Sequence, residues 1–270
     1  MVTLILIIKK IFPPLLFCIV LLSCGDLNYF SSLESRFDWH RDVRLERPDP
    51  PLGENYSFIV VSDTHITNLN DAQRFSGIKD SLINTDLFIV VNGDITEHGG
   101  ARELRYFLEA AKDIGEFALT NFGYKIPLYP VIGNHDVYTD EARAWKELIG
   151  ATVYRVDSSG TSLFILDNAS GFFGFNQLDW LERELRSAGK NTFVFAHTNL
   201  ESMLDIREWG RLRALLKGRC KIMFIGHVHN QYTREIDGVR YFHLKNFGSR
   251  GDFYRVHVEG QAITIEPRSL

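Results

Sequence analysis

Residues 57–65 read SFIVVSDTH: an unbroken apolar run that stops abruptly in Asp63-Thr64-His65. Four apolar residues flanked by Ser suit a strand buried on both faces, as in a parallel sheet. The same grammar recurs downstream. LFIVVN (87–92) runs into Gly93-Asp94. LYPVI (128–132) runs into Gly133-Asn134-His135-Asp136. TFVFA (192–196) runs into His197, and KIMFI (221–225) into Gly226-His227-Val228-His229. Five predicted strands therefore each deliver Asp, Asn or His at their C-terminal end, and this edge is where open α/β sheets bind ligands.

Working outward, helical patterns alternate with these strands. The spacing predicts helices over 71–84, 101–121, 140–149, 176–188 and 205–217, and a further strand over 162–166. After residue 225 the helices stop. Segments 231–236, 239–243, 253–258 and 263–266 read as antiparallel strands joined by turns such as Asp237-Gly238 and Glu259-Gly260. The reading is α/β layering with a β-rich tail, in one domain spanning 57–270.

The residue types at the strand ends point to metal chemistry. Carboxylates and imidazoles are good ligands for Zn, Mn or Fe. Residues two apart on an extended segment face the same way, which lets Asp63 and His65 share an ion, and likewise His227 and His229. The glycines before Asp94, Asn134 and His227 allow close backbone approach.

The ordered set D-x-H, G-D, G-N-H-D, H, G-H-x-H over residues 63–229 resembles the calcineurin-like metallophosphoesterase family. The resemblance implies a four-layer αββα sandwich of two mixed β-sheets flanked by helices, the metallo-dependent phosphatase-like fold. It implies two metal ions, Mn, Fe or Zn. Asp63, His65 and His229 would hold one, Asn134, His197 and His227 the other, and Asp94 would bridge them. It implies hydrolysis of a phosphodiester or phosphomonoester by in-line attack of a metal-bridging hydroxide. His135 would face the substrate phosphate as the catalytic group, with Asp136 orienting it. The Gly-Asp-Ile-Thr-Glu and Gly-Asn-His-Asp segments look closest to the cyclic-nucleotide phosphodiesterase-like branch. Thr198-Asn199-Leu200 departs from relatives that carry a Pro-containing segment after the isolated His. The alternative is a catalytically silent metal-binding scaffold on the same fold, although such a scaffold is expected to lose motif residues, and every one is present here.

Bulk properties agree. The chain has 270 residues, 45% hydrophobic and 24% charged, with a formal net charge of −4. There is no overall basic surplus to hold nucleic acid, and the partner that the resemblance implies is a small phosphoester. Lys9 and Lys10 precede an apolar run of about 12 residues, shorter than the ~20 that span a bilayer. That run ends in Leu21-Leu22-Ser23-Cys24-Gly25, which resembles a bacterial lipoprotein signal. Residues 1–24 are expected to act as an export signal and 25–56 as a tether, placing the domain outside the cytoplasm. Attachment would be through a lipidated Cys24 or through a retained N-terminal anchor. Cys220 reads as a small buried hydrophobe, and the three cysteines form no disulfide framework.

Overall fold

The computed structural model describes residues 36–38, 47–139, 142–200 and 205–270. Residues 1–24 and most of 25–56 lie outside the described residues.

The strands form two mixed sheets. The first has the order β11-β10-β1-β2-β3, with β1 at Asn55–Val61, β2 at Asp86–Asn92, β3 at Leu128–Val131, β10 at Asp252–Glu259 and β11 at Ala262–Ser269. Strands β1, β2 and β3 are parallel, with β3 at the edge, and β10 and β11 close the other side antiparallel. The second has the order β4-β5-β6-β7-β9-β8, with β4 at Tyr154–Ser158, β5 at Thr161–Ile165, β6 at Asn191–Ala196, β7 at Ile222–Ile225, β8 at Tyr232–Ile236 and β9 at Val239–His243. Strands β5, β6, β7 and β9 are parallel, while β4 and β8 are antiparallel edges.

Strand alternation builds the layers. Phe58 and Val60 of β1, Phe88 and Val90 of β2, Phe193 and Phe195 of β6 and Phe224 of β7 share one core between the sheets. Phe58 stacks on Phe88 at 4.5 Å and meets Phe193 edge-on at 5.2 Å, which accounts for part of the high Phe content. The intervening residues Ile59, Val61, Ile89 and Val91 point outward, against α1 (Leu69–Ser76), α2 (Ala101–Phe122) and α3 (Arg143–Leu148). Val194 and Met223 point the other way, against α4 (Phe175–Glu184) and α5 (Ile206–Leu216). The result is the four-layer αββα sandwich that the motif resemblance implied. On α2, Leu104, Phe107, Ala110, Ile114 and Ala118 form the buried stripe, and Gly123 ends the helix in the left-handed region.

Two expectations are corrected. The helix expected over 71–84 ends at Ser76 and continues as a 3₁₀ turn to Ser81. The tail is not a simple antiparallel set: β9 pairs parallel with β7, whereas β10 crosses to the other sheet and pairs with β1. A short α6 (Phe247–Arg250) links the two sheets. Within the expected tether, Arg36, Phe37 and Leu52 are buried against the domain.

Candidate metal centre

Strands β1, β2 and β3 are parallel neighbours in one sheet, and β6 and β7 are parallel neighbours in the other. Their C-terminal ends converge on a single edge of the sandwich. The loops there are tied together through the backbone. Asp63 N–H donates to Gly93 O at 3.0 Å, His65 N–H to Asp94 O at 3.0 Å, and Gly226 N–H to His197 O at 3.1 Å. The approach is close enough to exclude side chains. A Cβ on Gly133 would lie 2.1 Å from the Asp94 amide nitrogen, and one on Gly93 would lie 2.3 Å from the His197 ring.

The backbone is bent hardest at the ligand-type residues themselves. Asp63, His65, Asp94, His227 and His229 have φ between +47° and +71°. Residues other than glycine rarely occupy this region, at a cost of about 1–3 kcal/mol each, and such strain gathers where function fixes the geometry.

Side chains from both sheets meet. His229 Nε2 is 3.1 Å from Asp63 Oδ1 and 3.4 Å from His65 Nε2. His197 Nε2 is 3.0 Å from Asp94 Oδ2, and His227 Nδ1 is 2.8 Å from Asn134 Oδ1. Asp94 Oδ2 is also 4.0 Å from His65 Nε2, so this carboxylate faces both groups. Two candidate clusters are thereby assembled, Asp63/His65/His229 and Asp94/His197/His227, with Asn134 beside the second, and a third grouping, His65/Asp94/His135, joins them. All seven residues expected as metal ligands are brought together.

The site has the electrostatics of a cation site. Asp63 and Asp94 are buried, and among the described residues neither is paired with Lys or Arg. Buried carboxylates need a compensating charge. His197 Nδ1 donates to Asn92 O at 2.9 Å, which leaves the fully buried Nε2 facing Asp94 with no hydrogen bond of good geometry. Burial opposes its protonation, but the carboxylates of Asp94 and Asp63 outweigh that and raise it to about 10. Burial likewise opposes ionisation of Asp94, yet the charge and contact of His197, with the amide and charge of His135, hold its carboxyl below the usual range. Burial, then the charge of His197, pushes His227 down. A cation binding here would take over the charge of His197 and release its proton. The Asp/His/Asn donor set suits Mn, Fe or Zn.

His135 lies at the edge of this cluster, its Nε2 4.0 Å from Asp94 Oδ2. Its Nδ1 faces Glu97, at 2.9 Å from the carbonyl oxygen and 3.5 Å from Oε1. The expectation that Asp136 orients His135 is therefore corrected. Asp136 is fully buried and turned away from the ring. Its carboxylate accepts from Thr96 N–H (2.9 Å), Thr96 Oγ1 (2.8 Å), Gly133 N–H (2.9 Å) and Ile95 N–H (3.2 Å), clamping the 93–96 loop to the 133–136 turn. Burial and then the Asp94 charge push this carboxyl up to about 7. Glu97 is the residue that sequence reasoning missed. Its Oε2 also lies 2.7 Å from His65 Nδ1. Its place three residues after Asp94 was the only available signal.

A polar cleft of about 440 Å³ opens over the cluster, lined by His65, His135, His229, Glu97, Arg74 and Asn246 among others. A larger, mostly apolar groove of about 610 Å³ lies beside α2 and holds none of the ligand-type residues. Chemistry belongs to the smaller cleft.

Residues 56–231 match the calcineurin-like phosphoesterases. The chain belongs to this metal-dependent family. It is 27% identical over 173 residues to a protein of Fibrobacter succinogenes named a probable cyclic nucleotide phosphodiesterase, a match covering 58% of this chain and 63% of that one. The aligned stretch thus spans less than two thirds of that relative's length. Among solved structures, the chain resembles a dimetal phosphatase from Danio rerio (TM-score 0.58, 14% identity, 81% of this chain and 96% of that one). It also resembles GAP50, the anchor in the inner membrane complex of Plasmodium (TM-score 0.57, 16% identity, 80% and 85%). At such identities these two likenesses establish the fold.

Proposed function

We propose that the chain uses two metal ions to hydrolyse a small phosphodiester of the cyclic-nucleotide class. The observation that carries the two-ion reading is Asp94, which faces both donor clusters at once. Asp63, His65 and His229 would hold one ion, Asn134, His197 and His227 the other, with Asp94 shared. The ions supply a nucleophile at neutral pH and neutralise charge on the phosphoryl oxygens. The rest falls to the chain. His135 Nδ1 faces only acceptors on Glu97 and so carries a proton, which directs Nε2 toward the cleft. From there Nε2 can donate a proton to the leaving oxygen or hydrogen-bond the charge that develops in the transition state. Arg74, whose Nη1 donates to Gly248 O at 2.7 Å, is fixed on the cleft wall as a cation for the substrate anion. The preference for a diester rests on the Fibrobacter relative and on the Gly-Asp-Ile-Thr-Glu segment.

The test is Mn²⁺-reconstituted protein assayed on bis-p-nitrophenyl phosphate, p-nitrophenyl phosphate and a cyclic nucleotide. His135→Ala is expected to keep both ions and lose about 10²–10⁴ of turnover, and Asp94→Ala to lose metal. Normal metal content and full activity in Asp94→Ala would overturn the assignment. Two bound ions without turnover on any of these esters would favour the silent scaffold.

We further propose that the domain works outside the cytoplasm, attached at Cys24, as the Leu21–Gly25 pattern suggests. Mass spectrometry of the mature N-terminus checks this. A diacylated Cys24 is expected, and an intact Met1 without lipid would refute it.

A further inference from the structure

The family match begins at residue 56, yet two residues well before it are built into the domain. Arg36 is 2% exposed and Phe37 7%. Phe37 packs in the core between the second sheet and α4/α5, with Phe164, Phe173 and Leu178. Arg36 makes a two-pronged ion pair with Asp167: Nε to Oδ2 at 2.8 Å and Nη2 to Oδ1 at 3.1 Å. A third bond runs from Nη2 to Ser170 Oγ at 3.0 Å.

What Arg36 grips is the loop that supports a candidate metal ligand. Asp167 is wholly buried, and its backbone is locked in both directions by the Gln177 side chain, each bond 2.7 Å. The next residue, Asn168, holds the chain at the end of β6. Its Oδ1 accepts from His197 N–H (3.0 Å) and Thr198 N–H (2.9 Å), and its Nδ2 donates to Thr198 O (2.9 Å). A continuous path of short contacts therefore runs from Arg36 through the Asp167–Asn168 peptide to His197 and Asp94.

We propose that Arg36 is a positioning residue for the metal centre, acting through Asp167 and Asn168 on His197. This rests on the reading of His197 as a ligand. The physical reason is the burial of Asp167. A buried carboxylate that loses its partner must reach water or take up a proton. Either change loosens the 167–170 loop and with it the three Asn168 bonds that hold the His197–Thr198 backbone. The planar fork of a guanidinium matches both carboxylate oxygens, and an ammonium does not. Outer partners of this kind tune metal affinity by about 10–100-fold.

Mn²⁺ binding by the full chain, measured by calorimetry and electron paramagnetic resonance, tests this. Arg36→Met is expected to weaken one of the two Mn²⁺ sites by about 10–100-fold, leaving the other near wild type. Arg36→Lys is expected to lie between. Turnover lost at limiting Mn²⁺ returns at saturating Mn²⁺, with KM for the ester unchanged. Unaltered Mn²⁺ affinities in a folded Arg36→Met protein overturn the inference. Should that variant not fold, Arg36→Met combined with Asp167→Asn removes both charges. A weakened site in this neutral pair supports positioning by Arg36. Wild-type affinity shows that Arg36 only offsets the Asp167 charge, and also overturns the inference. A wild-type chain that binds no Mn²⁺ refutes the ligand reading of His197 itself, a failure distinct from equal binding by wild type and variant.

Discussion

Glu97 touches the rings of two site histidines, His65 through Oε2 at 2.7 Å and His135 through its carbonyl at 2.9 Å. Glu97→Gln keeps the carbonyl bond and removes the charge. Loss of an outer carboxylate partner of this type costs about 10–100-fold in affinity or activity. The variant is expected to lose that much in kcat while two Mn²⁺ still bind at saturation. Metal analysis beside steady-state kinetics checks it, and an unchanged kcat would show that Glu97 merely lines the cleft. At this scale the residues that gather at the strand ends were readable in the sequence and the partners of His135 were not. Ligands announce themselves because each needs a particular atom type at a strand end. Asp136 follows His135 in the chain, and that adjacency suggested a pair. In the 3₁₀ turn His135–Val137 the two side chains diverge, one to the cleft and the other to the Thr96 and Gly133 amides. Which loop faces His135 depends on the neighbouring strand, and no local spacing encodes that.

Elements were legible where the apolar pattern is strong, as in β1, β2, β6, β7 and α2. Strand β4, YRVDS, escaped because only two of its five residues are buried, and it earns its place by pairing with β5. The fate of the tail also escaped, since a turn says that two strands pair but not which sheet they join. The hairpin β8–β9 turns through Asp237 and Gly238, both at positive φ, with Ile236 opposite Val239. At its far end Tyr232 lies opposite His243 and stacks on it at 3.8 Å and 14°. Burial, and secondarily the charge of Arg234, lowers the His243 pKa from 6.5 to about 4. Between those two values the unfolded chain binds the extra proton, so folding stability rises with pH across the window. This contribution is complete above 6.5 and is lost as pH falls toward 4. His243→Phe keeps the stack and removes the titration. Denaturation midpoints at pH 7 and pH 5 should therefore drop more in wild type than in the variant, and parallel profiles would contradict this account.

The molecule as a whole is what makes the centre. Sheet one contributes Asp63, His65, Asp94 and Asn134, and sheet two contributes His197, His227 and His229. Neither sheet alone assembles either cluster fully, because His229 meets Asp63 and His197 meets Asp94 across the sandwich. The two halves are keyed together at the same place, through the Asn92 side chain on Ala196 O (3.1 Å) and the His197 ring on Asn92 O (2.9 Å). An unfolded chain has no comparable site, so metal binding must register as global stability. Mn²⁺ at about 100 times its Kd should stabilise the fold by about 2.7 kcal/mol per site. For a domain of this size that corresponds to a rise of about 5–10 °C in Tm. The shift should reverse on chelation. In Asp94→Ala it should largely vanish, because that carboxylate faces both clusters, and a full shift in this variant would mean that Mn²⁺ stabilises the chain from somewhere other than the strand ends. Differential scanning calorimetry with and without Mn²⁺ and chelator decides the matter. A single transition that moves as a unit is expected, since an ion held by residues of both sheets would not stabilise one sheet without the other.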